Sequence, residues 1–444
     1  MANEGSTRQL KRVLGFKDLL SACLGQVIGA GIMTLLGSAI GMTGRSMFIS
    51  LLIAAVVVVL VSIPSIIICG TVRVRGGSYT ELAMLTDKRF TGAYIILYIL
   101  QNISLAMYPL AFADYFVSLF GFGNVKVIAM VILTLFFLVN IRGIDVMAKF
   151  QNAIVVLLCV AMALFAVMGV PHIQPDFFTN GFITHGPQGI MSAAMLLTFA
   201  VSGATIITSL SGEAKKPTRD IPAAMLVGTL VVTILYAVIG AVASGVLPVE
   251  QVANQNLSMV AQIILSKPLY VFFMVFGAGF ALISTLNAQF ATSPKPLLQA
   301  CDDGWFPRKL GYLHPKYKTP VALLAAVYII TAVCIISGLS VDNLANICLV
   351  SSAVSGMPLY IMLYKLPKVM PEAWAKSKFK VSMPVLIVLS VVATIANALI
   401  AVYNAMSLST PLLIGNVAMI VAAMAFGCIR AKKVNMDISY EIVE

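Results

Sequence analysis

Two short stretches of this 444-residue chain have residue types and spacing that suggest a binding site, and neither contains a histidine, a carboxylate or a cysteine. One reads Gly25-Gln26-Val27-Ile28-Gly29-Ala30-Gly31-Ile32, the other Phe199-Ala200-Val201-Ser202-Gly203-Ala204-Thr205. Each lies in the middle of a long apolar run. Glycine weakens a helix by about 1 kcal/mol relative to alanine, so each stretch is a place for a helix to break. A broken helix has free carbonyls at the end of its first half and free N–H groups at the start of its second. The carbonyls suit a cation and the N–H groups an anion, so two facing breaks suit a zwitterion. Taken alone, Gly29-Ala30-Gly31 fits close packing of membrane helices equally well. The second weak point, at the matching place five runs later, favours a site.

Other chemistry is poorly supported. The three histidines, His172, His185 and His314, fall in loops, far in sequence from any paired carboxylate. Cys23, Cys69, Cys159, Cys334, Cys348 and Cys428 lie within or at the ends of apolar runs, and Cys301 in a loop, none at metal-ligand spacing. They read as small apolar fillers kept as thiols. Of the 17 acidic residues only Asp114 falls well inside an apolar run; the others are expected at helix ends, in loops or in tails. The pattern suggests no enzyme, no metal, no cofactor and no intramembrane carboxylate of the kind that marks a proton path.

The elements that must position the two stretches follow from composition. The chain is 60% hydrophobic and only 10% charged, against about 25% charged in soluble domains. The bilayer has to be the solvent for most of its surface. Apolar runs of spanning length occur at 17–40, 46–70, 90–118, 125–141, 147–170, 188–211, 222–247, 265–294, 319–338, 343–364, 381–403 and 409–429, hereafter spans 1 to 12. All but three of the 29 Lys and Arg, the exceptions being Arg45, Lys126 and Lys267, fall on one side of that alternation. By the positive-inside rule this puts both tails, 1–16 and 430–444, in the cytoplasm of a multi-pass cell-membrane protein. The polar leader Met1–Lys17 precedes an apolar run too long for a cleavable signal. The net charge of +12 lies in short clusters between apolar runs rather than on one dense face, which argues against nucleic acid.

Several motifs together resemble the amino acid–polyamine–organocation superfamily, and its L-amino acid transporters in particular. Gly29-Ala30-Gly31-Ile32 resembles the superfamily's helix 1 signature and Phe199-Ala200-Val201-Ser202-Gly203 its helix 6 motif. Gly76-Gly77-Ser78-Tyr79 is similar to the loop before helix 3, and Lys216-Pro217-Thr218-Arg219-Asp220-Ile221-Pro222 to the loop after helix 6. Asp302-Asp303-Gly304-Trp305-Phe306-Pro307, then Thr319-Pro320-Val321, resembles the pattern after helix 8, and Leu349-Val350-Ser351-Ser352 a stretch of helix 10.

The resemblance implies an all-α, LeuT-like fold: twelve transmembrane helices, with an inverted repeat of helices 1–5 (17–170) and 6–10 (188–364), and two extra helices at 381–429. It implies an amino acid bound between broken helices 1 and 6. Ile28, Gly29, Ala30, Gly31 and Ile32 would receive the carboxylate. Ser202 and Gly203 would hold the amine through carbonyls, Phe199 would close over the substrate, and Ala204 and Thr205 would line the pocket. Thr205 stands where arginine/agmatine exchangers carry a glutamate, which counts against cationic substrates. Leu158 stands where many members carry a lysine joining helices 1, 5 and 8, and Ser284, Thr285, Asn287 and Gln289 of span 8 are polar enough to take part there. The loop Ser118–Lys126 lacks the cysteine by which eukaryotic relatives link an accessory glycoprotein, so no disulfide-linked partner is expected. The expectation is exchange of neutral amino acids by alternating access. A cation-coupled symporter is the alternative, and an amino acid sensor or a membrane enzyme the reading from another class.

Overall fold

The computed structural model describes residues 10, 12–74, 76–436 and 440–441. Arg8, Lys11 and Arg75, used above to orient the chain, lie outside them, as does most of the N-terminal tail. Among the described residues the fold is all-α, apart from an antiparallel pairing of Arg73–Val74 with Tyr440–Glu441 and a parallel bridge between Leu14 and Ala214. Ten helical segments are long and apolar enough to cross a membrane. Two further apolar helices, Val125–Ile141 and Val321–Ser337, have 17 residues each and coincide with spans 4 and 9. At 1.5 Å per residue they are about 25 Å long, near the lower limit for crossing the hydrocarbon layer.

Burial in these helices separates faces that hydropathy alone does not. On Val125–Ile141, Val127, Val131, Leu135 and Leu138 are exposed, while Ala129, Leu133, Phe136 and Asn140 are buried. The exposed row is apolar because lipid covers it; the buried row mixes large apolar Leu133 and Phe136 with the small Ala129 and the polar Asn140. Span 11, Met383–Met406, repeats the device with Ser390, Asn397 and Asn404 turned inward at every seventh position.

Spans 1 and 6 are each in two pieces. Span 1 comprises Phe16–Val27 and Ala30–Thr43, separated by Ile28 and Gly29. Span 6 comprises Gly186–Val201 and a 3-10 segment Ala204–Leu210, separated by Ser202 and Gly203. Gly203 has φ +118°, a conformation that non-glycine residues rarely adopt. Two irregularities were not foreseen. Span 3 is interrupted by a 3-10 turn at Asn102–Ala106, and span 8 passes through a seven-residue π-helix, Phe273–Gly279. Span 7 starts at Pro217 rather than 222, since proline is well placed at a helix start.

The acidic residues correct the sequence reading. Asp114 does lie within span 3, on Met107–Phe120, with its side chain exposed. Glu81 and Glu213, expected in polar connections, are fully or almost fully buried. Cys301 is also buried, on the helix Pro294–Asp302. The connections before span 3 and after spans 6 and 8 fold back among the helices, which composition did not reveal.

Ion pairs staple both ends of the bundle. At one end the Lys295 ammonium lies 2.7 Å from the Glu213 carboxylate, both buried. The Glu213 carbonyl also accepts from the Leu14 amide, drawing the N-terminal segment onto the end of span 6. At the other end the buried Arg45 guanidinium donates to the Asp176 carboxylate and carbonyl, at 2.9 and 2.8 Å. That contact ties the loop after span 5 to the corner between spans 1 and 2. The hydrogen bond from Arg45 holds the Asp176 carboxyl below its ordinary value of 3.8. A depressed acid contributes its stabilisation fully above the unfolded value and loses it as pH falls through the folded one. Asp176→Asn should therefore lower the unfolding midpoint in detergent at neutral pH. The gap to the native protein should close as pH falls well below 3.8. Thermal melts across pH check this, and a gap that persists in acid would assign the loss to packing instead.

Candidate functional site

The breaks of spans 1 and 6 lie against each other. A Cβ added to Gly31 would collide with the Ala200 backbone, so the start of the second half of span 1 packs on the last turn of the first half of span 6. Gly29 is equally confined, since a Cβ there would collide with the Thr285 hydroxyl of span 8. Gly31 is needed for close approach of two backbones, and Gly29 for close approach of the Thr285 side chain.

The carbonyls freed by the first break are already engaged. Gly25 O accepts from Thr285 Oγ1 at 2.8 Å and from Ser284 Oγ at 3.1 Å. Thr285 Oγ1 also lies 3.2 Å from Ile28 O, and the Tyr236 hydroxyl donates to Val27 O at 2.9 Å. Spans 7 and 8 thus satisfy the end of the first half of span 1. The second half begins differently. Gly29 caps Ala30–Thr43 with no side-chain hydrogen bond to its first amides. These amides form the positive end of a 14-residue helix and can receive an anion. Across from them, the last turn of Gly186–Val201 offers carbonyls, two of them partly used: Thr198 O by the Ser202 amide and Phe199 O by the Ser202 hydroxyl.

A cavity of about 260 Å³ opens at this junction. Of the residues singled out from sequence, Gly29, Gly31, Phe199, Ser202, Gly203 and Thr205 line it. Ile28, Ile32 and Ala204 do not: their side chains are buried in the core. These three can contribute only backbone. The Ala30 side chain lies outside the described residues. Leu158, where a lysine was absent, is fully buried.

The sequence reading missed most of the other walls. Gln26 reaches across to Gln289 of span 8, its Nε2 donating to Oε1 at 2.8 Å. Span 3 supplies Tyr94, Tyr98, Gln101, Asn102, Ser104 and Tyr108, and Gln101 donates to Ser355 of span 10 at 2.9 Å. A signal was present: Tyr94, Tyr98, Gln101 and Tyr108 recur three, four or seven residues apart, a polar stripe on one helix face. Among the described residues, no Asp, Glu, Lys, Arg or His lines the cavity. No group of three or more His, Cys, Asp or Glu residues among them could hold a metal ion.

Residues 14–425 match the family model described as amino acid permease, and the chain belongs to that family, within the amino acid–polyamine–organocation superfamily. It is a multi-pass membrane transporter rather than an enzyme. It is similar to the branched-chain amino acid permease BcaP of Bacillus subtilis (strain 168), with 27% identity covering 72% of this chain and 73% of the relative. It is also similar to two other proteins of that organism. The methylthioribose transporter is 22% identical over 72% of this chain and 74% of its own length. The serine/threonine exchanger SteT is 23% identical over 70% and 73% respectively.

Gly31→Val should reduce substrate affinity by about tenfold or more, because added methyl groups force the two broken spans apart. Gly203→Val should do the same by straining φ +118°. Ligand-induced thermal stabilisation reads this. Native affinity in both variants would mean that the glycines serve packing alone.

Proposed function

We propose that this permease exchanges neutral L-amino acids by alternating access, binding the zwitterion between the broken halves of spans 1 and 6. The observation that carries the reading is a cavity at the two breaks whose described lining has uncharged side chains throughout. A carboxylate finds the free amides of the helix starting at Ala30. An ammonium finds the carbonyl end at Val201–Gly203, since the carbonyls of Gly25, Val27 and Ile28 are engaged by hydroxyls. A substrate side chain with a net charge would meet no counter-charge and would carry a large desolvation cost. Gly29, Ala30 and Gly31 take the carboxylate through backbone, flanked by Ile28 and Ile32. Ser202 and Gly203 take the amine, Phe199 closes the site and Thr205 shapes it, with Ala204 contributing backbone alone. The branched-chain permease and the serine/threonine exchanger among the relatives have names that fit such substrates.

The reading includes twelve spans, 1–5 and 6–10 as inverted repeats with spans 11 and 12 added, and both tails in the cytoplasm of the cell membrane. In that frame the cavity runs from the breaks toward the cytoplasmic ends of spans 2, 3 and 10, past Ser65, Ser78 and Tyr360. The opposite side is sealed by buried Met33, Leu36 and Ile40 and by the Asn254 amide on Gly37 O. The conformation is inward-facing. Exchange is preferred to proton-coupled symport because no Asp or Glu among the described residues lines the cavity. Transport needs no disulfide-linked subunit, since Ser118–Lys126 has no cysteine.

Purified protein alone in proteoliposomes tests the whole reading. Unlabelled internal amino acid should stimulate uptake of labelled leucine or serine, and unlabelled neutral amino acids should compete where arginine and glutamate do not. Imposed proton or sodium gradients should not drive accumulation into empty vesicles. Concentrative uptake under either gradient would replace exchange with symport. No uptake of any amino acid would leave the sensor reading in its place.

A further inference from the structure

Glu81 is a buried carboxyl that neither break uses. It sits on the helix Ser78–Leu85 between spans 2 and 3 and is fully buried. Its carboxyl accepts from Ser65 Oγ at 2.6 Å and from Cys69 Sγ at 3.4 Å, both on span 2. The buried Thr208 hydroxyl, on the second piece of span 6, faces the same carboxyl at longer range. Three elements therefore meet at one side chain. They meet directly beneath the cavity, whose lining includes Ser65, Ser78, Leu82 and Ser209. The docking is close: a Cβ on Gly77, which precedes the helix, would lie 2.9 Å from Ser209 Cα.

Among the described residues no lysine or arginine bonds this carboxyl. The titratable groups around it are easily named. Span 2 brings Cys69; Lys88–Gln101 brings the Tyr94 phenol, and span 10 the Tyr360 phenol, both within electrostatic range. Ala204–Leu210 carries no titratable side chain. The helix Pro294–Asp302 carries Lys295, held by Glu213, with Cys301 and Asp302. Leu366–Val369 carries Lys368, which is exposed. On its own helix Tyr79 is turned to Asp303 at 2.6 Å.

We propose that Glu81 is a proton-binding site that latches the helix Ser78–Leu85 to span 2 and to the second piece of span 6 beneath the cavity. With the proton bound, the side chain is neutral and stays buried among its hydroxyl and thiol donors. When the proton leaves to water, a carboxylate remains in a dry place without a counter-ion. It regains hydration only if the three elements part toward the adjacent cavity. Burial holds the carboxyl above its ordinary value of 4.5, and the hydrogen bonds from Ser65 and Cys69 offset part of that shift. The docked state therefore binds the proton more tightly than the undocked one. Docking is fully favoured below 4.5 and weakens as pH rises from there through the raised docked-state value. The proton returns to the compartment it came from, so it sets the rate of opening on that side and not the driving force. The consequence for flux rests on the transport reading; the latch does not.

The test follows amide hydrogen exchange of 78–85 in the full-length protein in lipid nanodiscs, corrected for the intrinsic pH dependence. In the native protein, protection should fall about tenfold per pH unit across the window. Glu81→Gln, a permanent neutral mimic, should show no such excess, and a native-like pH dependence in that variant would overturn the latch. If Glu81→Gln fails to fold, Ser65→Ala, which removes a donor, should move the window up by about one pH unit. An unmoved window would equally overturn the proposal. In proteoliposomes with the same pH on both sides, exchange of labelled leucine or serine should vary with pH in the native protein and be fixed at its acid-limit rate in Glu81→Gln. A pH-dependent latch with no exchange of any amino acid would leave the inference standing and remove the transport reading. Accumulation driven by a pH gradient and lost in Glu81→Gln would show the proton crossing the membrane, against the same-side site.

Discussion

A helix broken inside a membrane has to satisfy its freed backbone groups without water, and much of this structure follows from how that is done. Each freed amide or carbonyl left without a partner in an apolar surrounding costs several kcal/mol. The first half of span 1 meets the demand with side chains: Tyr236 from span 7 and Ser284 and Thr285 from span 8 engage Val27, Gly25 and Ile28. Those contacts fix spans 7 and 8 against span 1 and make Gly29 obligatory beside Thr285. The second half of span 1 leaves its first amides uncapped, and the cavity opens beside them. One break is closed by protein on its carbonyl side and open to the cavity on its amide side.

The same constraint explains where charge is found. Charged side chains around a cavity without counter-charges would add desolvation without gain, and the described lining contains none. Charged groups meet instead at the two ends, where the buried Lys295 pairs with the buried Glu213 and the buried Arg45 with the half-exposed Asp176. Such pairs give little net stability but make separation of their elements costly. At one end they join the N-terminal segment, the end of span 6 and the helix after span 8; at the other, the loop after span 5 and the corner before span 2. Glu81 differs in having hydroxyls and a thiol for partners and, among the described residues, no cation. A carboxyl in that setting is held by its proton, so the contact can be released where an ion pair would persist.

The polar side chains of spans 3, 8 and 11 form one inward system. Gln101 bonds Ser355, Gln26 bonds Gln289, and Asn397 bonds the Ala353 carbonyl. In a bilayer these contacts do not compete with bulk water, and they keep apolar helices from sliding past one another. They also give the cavity its chemistry, so packing and recognition draw on the same residues.

The sequence by itself determined the membrane class, the places where spans 1 and 6 break, the family, and the absence of an enzyme's constellation. Each of these is a local or compositional property. Hydrophobic run length decides what can enter a bilayer, and Gly29-Ala30-Gly31 and Ser202-Gly203 mark weak helix wherever the rest of the chain goes. The polar stripe Tyr94, Tyr98, Gln101, Tyr108 was equally legible as a face, but not what it faces. Only the tertiary structure decided that Ile28, Ile32 and Ala204 turn into the core while Gln26 and Gln289 reach the cavity. It alone turned Asp114 outward and buried Glu81 and Glu213. Burial depends on which connections fold back among the helices, and that is set by tertiary contacts such as Lys295 with Glu213 and Tyr79 with Asp303. Composition and periodicity carry no record of such contacts.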